Sequence, residues 1–99
     1  MDKYIRKDEE EIVQFVEKEF GIKIFSNRLI TNTTRRNHTV NLFKITNKLH
    51  LILSFYLDET HIRIAEHNII SLHLIVKKSN ESYLKNVIKT SMEVIRTNG

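Results

Sequence analysis

A chain of 99 residues is long enough for one domain, here residues 1–99, with a single hydrophobic core. The absence of cysteine excludes disulfide bonds and thiolate metal sites, and it favours a reducing, cytoplasmic location. A formal net charge of +4 allows an acidic partner, either nucleic acid or an acidic protein surface, but does not require one. The charged start of the chain is unlike a signal peptide, and no apolar run is long enough to span a membrane.

The first predicted element is an amphipathic helix that begins near Asp8. Aspartate favours the capping position of a helix, and the glutamates at positions 9–11 favour the positive end of the helix dipole. Gly21 suits the left-handed residue that ends many helices. The apolar residues that recur at helical spacing are Ile12, Val13, Phe15, Val16 and Phe20.

Five β-strands are predicted after this helix, because the apolar period changes from 3.6 residues to 2. Two less regular strands are expected at about 22–29 and 39–46. Three strands with strict alternation follow at about 49–57, 61–65 and 70–76. Each of the three later strands therefore has one face that points into the core.

A second helix is predicted to begin at Ser79 or Asn80 and to stop near Asn98 and Gly99. Short connections favour antiparallel strands that are neighbours in the sheet. The order of elements predicts an α+β fold of the form α-β-β-β-β-β-α. It is a five-stranded antiparallel meander with the N-terminal and C-terminal helices packed on one face.

The turns predict the register of the strands, because opposed residues must share a face of the sheet. Turns are expected at 47–48, 58–59 and 67–69, the last with Asn68 in the left-handed conformation. This register points Val40 inward and Phe43 outward. The pairs that it predicts are Leu42 with Leu53, Phe55 with Ile62, Tyr56 with His61, Ser54 with Arg63, Ile64 with Leu72, and Arg63 with His73.

The sheet face away from the helices is the first candidate site. A face that meets only water would carry polar residues, whereas clustered apolar residues indicate a contact surface for another protein or for a second copy in a homodimer. The residues expected to bind a partner are Phe43, Ile45, Ile52, Tyr56, His61, Arg63, His73 and Ile75.

A basic loop at residues 31–39 is the second candidate site. Arg35, Arg36 and His38 stand there among threonines and asparagines, all of which can donate hydrogen bonds to phosphate oxygens or carboxylates. We expect this loop to contact nucleic acid or an acidic partner. The alternative is a solvated loop tip without a ligand.

Two histidines and one arginine could perform acid–base chemistry on a phosphodiester, namely His61, His73 and Arg63. No catalytic motif supports this nuclease hypothesis. A metal site is disfavoured, because Arg63 would lie between the imidazoles and no carboxylate is expected on the same face. The sequence therefore predicts no metal site, no cofactor and no catalytic residue.

The function that these features favour is that of a non-enzymatic protein-interaction module. Small, cysteine-free, basic chains rich in Ile, Asn and Lys are typical of phages and other mobile elements. Stoichiometric inhibitors of host defence proteins, such as anti-CRISPRs, are common in those elements, so the background expectation is an inhibitor that acts by steric block. The alternatives are a small basic nucleic-acid-binding protein and, after it, the His/Arg-dependent nuclease.

Overall fold

The computed structural model describes residues 5–31, 36–78 and 80–98, with side chains as far as Ile95 in the last helix. The elements are helices α1 (Glu9–Phe20) and α2 (Glu81–Asn98) and strands β1 (Ile24–Ile30), β2 (His38–Lys44), β3 (Leu49–Phe55), β4 (Glu59–Glu66) and β5 (Ile69–Lys77). The strands lie in chain order and every neighbouring pair is antiparallel, which confirms the predicted meander. In the part of the chain that the structure describes, no helix has the length and apolar character to cross a bilayer.

Both helices pack on the same face of the sheet, as predicted. Inward residues of α1 and α2 meet the odd-numbered residues of β3 and the even-numbered residues of β4. This separation of faces follows from the two-residue period of a strand. The core consists of Ile12, Val13, Val16, Phe43, Leu51, Leu53, Phe55, Ile62, Ile64, Val76, Leu84, Ile88 and Met92.

Helix α1 begins and ends where the sequence predicts, but its first turn is held differently. The Asp8 side chain does not cap the helix; it binds Arg6, with Nη2 and Oδ2 2.6 Å apart. The backbone amides of Ile5 and Arg6 donate instead to Oε1 of Glu9, each at 3.0 Å. Gly21 ends the helix with a φ of 65°, the left-handed conformation that glycine adopts without strain.

The register of β2 against β3 differs from the prediction by one residue. Three residues, Thr46 to Lys48, form the loop between Ile45 and Leu49, and the Thr46 hydroxyl accepts the Lys48 and Leu49 amides. The predicted loop had only two residues. One additional residue inverts every side chain of the strand, so Phe43 faces Leu51 and is completely buried in the core. The prediction that Phe43 binds a partner is therefore wrong.

Two other residues of β2 and its loop change sides for the same reason. Ile45 packs against the core and does not lie on the outward face. Leu42 faces Ile52, and Val40 faces Ser54, so both apolar residues lie on the side away from the helices. The sheet therefore keeps apolar residues on its outward face, but they are different residues from those expected.

The register of β3 against β4 is offset by two residues from the prediction. The turn consists of Leu57 and Asp58, closed by the Tyr56 amide on the Glu59 carbonyl at 2.9 Å. Ser54 faces His61 and Ile52 faces Arg63. A shift of two residues leaves each side chain on its predicted face. It also releases Glu59 from the turn and makes it the first residue of β4.

The register of β4 against β5 agrees with the prediction over most of its length. Arg63 faces His73 and Ile64 faces Leu72. The turn contains two residues, His67 and Asn68, both left-handed with φ of 54° and 67°. The predicted third residue is absorbed by a bulge beside Ile64, and the predicted left-handed Asn68 is confirmed.

A polar cluster lies beneath α1 on the inward side of β1 and β2. The Asn27 amide nitrogen donates to Oδ1 of Asn41 at 2.6 Å, and the Thr39 hydroxyl donates to Oε2 of Glu9 at 2.6 Å. Glu9, Thr39 and Asn41 are completely buried. Hydrogen bonding of this kind is what allows buried polar groups to be tolerated.

Candidate functional site on the open sheet face

The open face is the side of the sheet opposite α1 and α2. Cross-strand pairing arranges its side chains in rows, such as Val40, Ser54, His61 and Ile75. Six of the residues predicted to bind a partner belong to this face: Ile52, Tyr56, His61, Arg63, His73 and Ile75. The structure thus brings most of the predicted site together, without Phe43 and Ile45.

Four rings form a ladder across the open face: three come from β2, β4 and β5, and the fourth, Tyr56, directly follows β3. His38 stacks on Tyr56 with ring centroids 4.5 Å apart. The Tyr56 ring lies 4.8 Å from that of His61, which lies 5.2 Å from that of His73. We call these four residues the ring ladder. The predicted loop residue His38 is therefore the first residue of β2 and part of the same surface.

Arg36 joins the ring ladder to the turn between β3 and β4. Its guanidinium carbon lies 4.7 Å from the centroid of the Tyr56 ring. Its Nη1 donates to both carboxylate oxygens of Asp58, at 2.7 and 2.9 Å. Arg36 thus contacts both the ring ladder and the turn, whereas Arg35, the other predicted arginine, lies outside the described residues.

Glu59 is the residue that sequence reasoning missed, and it organises this end of the open face. Its carboxylate accepts hydrogen bonds from Arg36 Nη2 at 3.1 Å, from Lys77 Nζ at 2.8 Å and from His61 Nε2. The bond from Lys77, followed by that from His61, lowers the pKa of Glu59 to about 2. The same bond raises the pKa of Lys77. A charged carboxylate shared among three donors holds their side chains in place.

His61 and His73 form the second link of a hydrogen-bonded chain that starts at Glu59. Nδ1 of His61 and Nε2 of His73 are 3.1 Å apart, so one ring donates and the other accepts. Burial, followed by the nearby charges of His61 and Arg63, lowers the pKa of His73. Arg63 itself donates to the Ser54 hydroxyl at 2.9 Å. Such a chain can pass a proton, and it also fixes the orientation of both imidazoles.

The side chains around Glu59, His61 and His73 are poorly arranged to bind a metal ion. Among the described residues, no group of three or more His, Asp and Glu side chains is placed to hold a metal ion. The Glu59 carboxylate is occupied by Arg36, Lys77 and the His61 imidazole, and the Arg63 charge stands beside His73. Positive charge at this position opposes a bound cation.

The open face combines positive charge with an apolar centre. Leu42 and Ile52 face each other there and are half-buried. The cationic side chains on the same face are Arg28, Arg36, Lys44, Arg63 and Lys77. Among the described residues of these strands and turns, the carboxylates beside them are Asp58 and Glu59, and both are engaged with cations.

Replacing Glu59 with glutamine is expected to flatten the dependence of stability on pH. The folded-state pKa lies below the ordinary value of 4.5, so the stabilisation is complete above about pH 4.5 and is lost as the pH falls toward 2. Urea unfolding at several pH values should show the wild type losing more of its unfolding free energy in acid than Glu59→Gln. The control is Glu66→Gln, at an exposed position on the same strand. Equal slopes for the wild type and Glu59→Gln would contradict the assigned role of Glu59.

The fold and the site together define a class: an α+β domain with one helix-covered sheet face and one cationic, ring-bearing open face. No protein-family model, curated protein or solved structure matches the chain. The functional proposal therefore depends on the geometry of the site.

Proposed function

We propose that this chain is a non-enzymatic protein-interaction module of the cytoplasm, whose open face docks onto an acidic surface of a partner protein. The observation that carries the proposal is an apolar centre at Leu42 and Ile52 among cationic side chains. An apolar core with a polar rim is the usual anatomy of a protein interface. The positive rim selects a partner with negative charge.

The network around Glu59 supports this function by fixing the binding surface before a partner arrives. Arg36, His61 and Lys77 already bind Glu59, and Tyr56 stacks on His38 and contacts the tilted ring of His61. Side chains that are ordered in advance lose less conformational entropy on binding. A surface of this kind suits steric block, in which the domain covers a site that another molecule needs. A stoichiometric inhibitor from a phage or mobile element, directed at a host defence protein such as a CRISPR effector, would act in this way.

Single-stranded nucleic acid is the second candidate partner, and the ring ladder is the observation that favours it. Open sheets with aromatic rings and nearby arginines can stack unpaired bases. Tyr56, however, is covered by His38 and by Arg36, which leaves little of its ring for a base. His73, at the β5 end of the ladder, is exposed. The protein partner is therefore preferred over nucleic acid.

A capture experiment tests the proposed function with a charge and an apolar variant of the open face. Ile52→Asp and Arg28→Glu should each weaken binding of the captured protein by at least about tenfold, which corresponds to about 1.4 kcal/mol. The wild-type domain and each variant are immobilised and incubated with a nuclease-treated lysate. The affinity for each captured protein is then measured with purified components. Lys18→Glu, which makes the same charge change on exposed α1, is the matched control and should bind like the wild type.

Three results would overturn the proposal. Capture by Ile52→Asp at wild-type level, with an unchanged circular dichroism spectrum, would show that the open face is not the interface. Loss of capture on nuclease treatment, with a steep loss of affinity as salt rises, would favour nucleic acid. Cleavage of labelled RNA that disappears in the His61→Ala, His73→Ala double variant would favour the nuclease.

A further inference from the structure

Strand β5 forms an edge of the sheet, with β4 as its neighbour on one side. It is nine residues long and most of its side chains are exposed, including the apolar Leu74 at 38% and Ile75 at 51%. Edge strands are usually shortened, bulged or charged, because their open backbone groups pair with other strands. The bulge of β5 lies near its start, and four of the six residues in its regular part, 72–77, are apolar.

The backbone of β5 directs one set of hydrogen-bonding groups away from the sheet. The Lys78 amide donates to the Asp58 carbonyl on the β4 side, at 2.8 Å. Alternate residues of an antiparallel strand direct their amide and carbonyl to opposite sides. The amides and carbonyls of His73, Ile75 and Lys77 therefore face outward along the edge.

An apolar groove runs beside this edge, between β5 and α2. It has a volume of about 360 Å³ and is lined by Leu72, Leu74, Tyr83, Asn86, Val87, Thr90, Ser91 and Val94. Tyr83 is 55% exposed at its margin. The groove lies on the helix side of the sheet, so it is separate from the open face and its proposed partner.

We propose that β5 pairs antiparallel with β5 of a second copy of this chain, which makes a continuous ten-stranded sheet with the two α2 helices side by side. A two-fold axis at Leu74 would place His73 of each copy opposite Ile75 of the other, so that the outward backbone groups of both strands pair.

The area of the edge suits a weak, concentration-dependent dimer. Residues 71–77 of one copy lie opposite residues 77–71 of the other and span about 24 Å, at about 3.4 Å per residue. With a sheet layer and a helix layer that are each about 10 Å thick, the edge offers about 480 Å² per copy. The total of about 1,000 Å² is the size of transient protein interfaces. The other edge strand, β1, has seven residues and a bulge between Ile24 and Ser26, so it is a poorer template.

Sedimentation velocity over a range of concentrations tests this proposal. The wild type should approach twice the monomer mass of 11.8 kDa as the concentration rises. Leu74→Lys places a charge in the new interface and should raise the dimer dissociation constant at least about tenfold. Phe25→Lys is the matched control, because Phe25 is an exposed apolar residue on the opposite edge strand. It should dimerise like the wild type.

Cysteine cross-linking provides a second measurement that does not depend on a charged variant. The chain contains no cysteine, so Leu74→Cys is a unique probe near the proposed two-fold axis. It should form a disulfide-linked dimer on mild oxidation, whereas Phe25→Cys should not. A wild type that stays monomeric at every concentration would overturn the proposal. A dimer that survives Leu74→Lys and is lost in Ile52→Asp would overturn it too, since the open face would then be the interface.

Discussion

Replacing Phe43 with alanine is expected to lower the free energy of unfolding by about 3–5 kcal/mol. The Phe43 side chain is completely buried among core residues of both helices and of β3. Its removal loses the transfer free energy of the ring and leaves a cavity that the rigid sheet cannot close. Urea denaturation, followed by circular dichroism, measures the change.

Phe25→Ala is the matched control for this prediction, because Phe25 is 66% exposed at the bulge of β1. It should change stability by no more than about 0.5 kcal/mol. A similar loss in the two variants would contradict the observed register of β2. Phe43→Asp should not fold at all, and a folded Phe43→Asp domain would show that this side chain faces outward after all.

Replacing Glu9 with alanine is expected to lower the free energy of unfolding by about 2–4 kcal/mol, because one buried and two partly buried donors would be left without acceptors. The carboxylate accepts the amides of Ile5 and Arg6 and the hydroxyl of Thr39, so three donors lose their partner at once. Glu9 thereby ties the start of α1 to β2. Thermal and urea unfolding of the variant would measure the loss.

Glu10→Ala is the control for Glu9, since Glu10 is the exposed neighbour on the same helical turn. Burial raises the pKa of Glu9, although its hydrogen bonds oppose this change. The contribution of Glu9 is therefore complete below the ordinary value of 4.5 and declines as the pH rises through the folded-state pKa. Glu9→Gln should keep much of the stability and lose this decline. Equal stability of Glu9→Ala and Glu10→Ala would contradict the role assigned to Glu9.

The fold could be predicted because β3, β4 and β5 alternate strongly between apolar and polar residues. Most of their predicted inward residues do face the core, including Leu53, Ile62 and Leu72. The exceptions are Leu57, which lies in the turn, and Ile70, which the bulge places opposite Ala65 on the open face. The ends of helix α1 could be predicted from Asp8, the glutamates at positions 9–11 and Gly21 for equally local reasons, although the Asp8 side chain does not cap the helix. Local composition therefore determined the number, order and type of elements.

The orientation of β2 could not be predicted, because its inward positions are mostly polar. Thr39 and Asn41 are completely buried, whereas Val40 and Leu42 lie on the open face. In such a strand the alternation of apolar residues assigns the open face to the core. The signal that was available lies in the partners: Glu9 can bond to Thr39, and Asn27 to Asn41, only when these residues share the inward side.

Glu59 escaped prediction for a different reason. A hairpin whose turn moves by one position shifts the register by two residues and keeps every side chain on its face. The requirement that opposed residues share a face is therefore met by a turn at Asp58 and Glu59 as well as by the observed turn at Leu57 and Asp58. The spacing of Glu59, His61 and Arg63 at every second residue was the signal that a carboxylate belongs to this face.

The amide pair Asn27 and Asn41 has a consequence for how the chain finds its native alignment. One amide oxygen and one amide nitrogen of the pair lack a hydrogen-bond partner in the described structure, so the pair contributes less than an apolar pair of similar size would. A slip of β1 by one residue would instead turn Arg28 toward α1 and bury its charge. The pair therefore reduces the stability of the native fold slightly, but it makes the observed alignment of the irregular first strand far more stable than an alignment shifted by one residue.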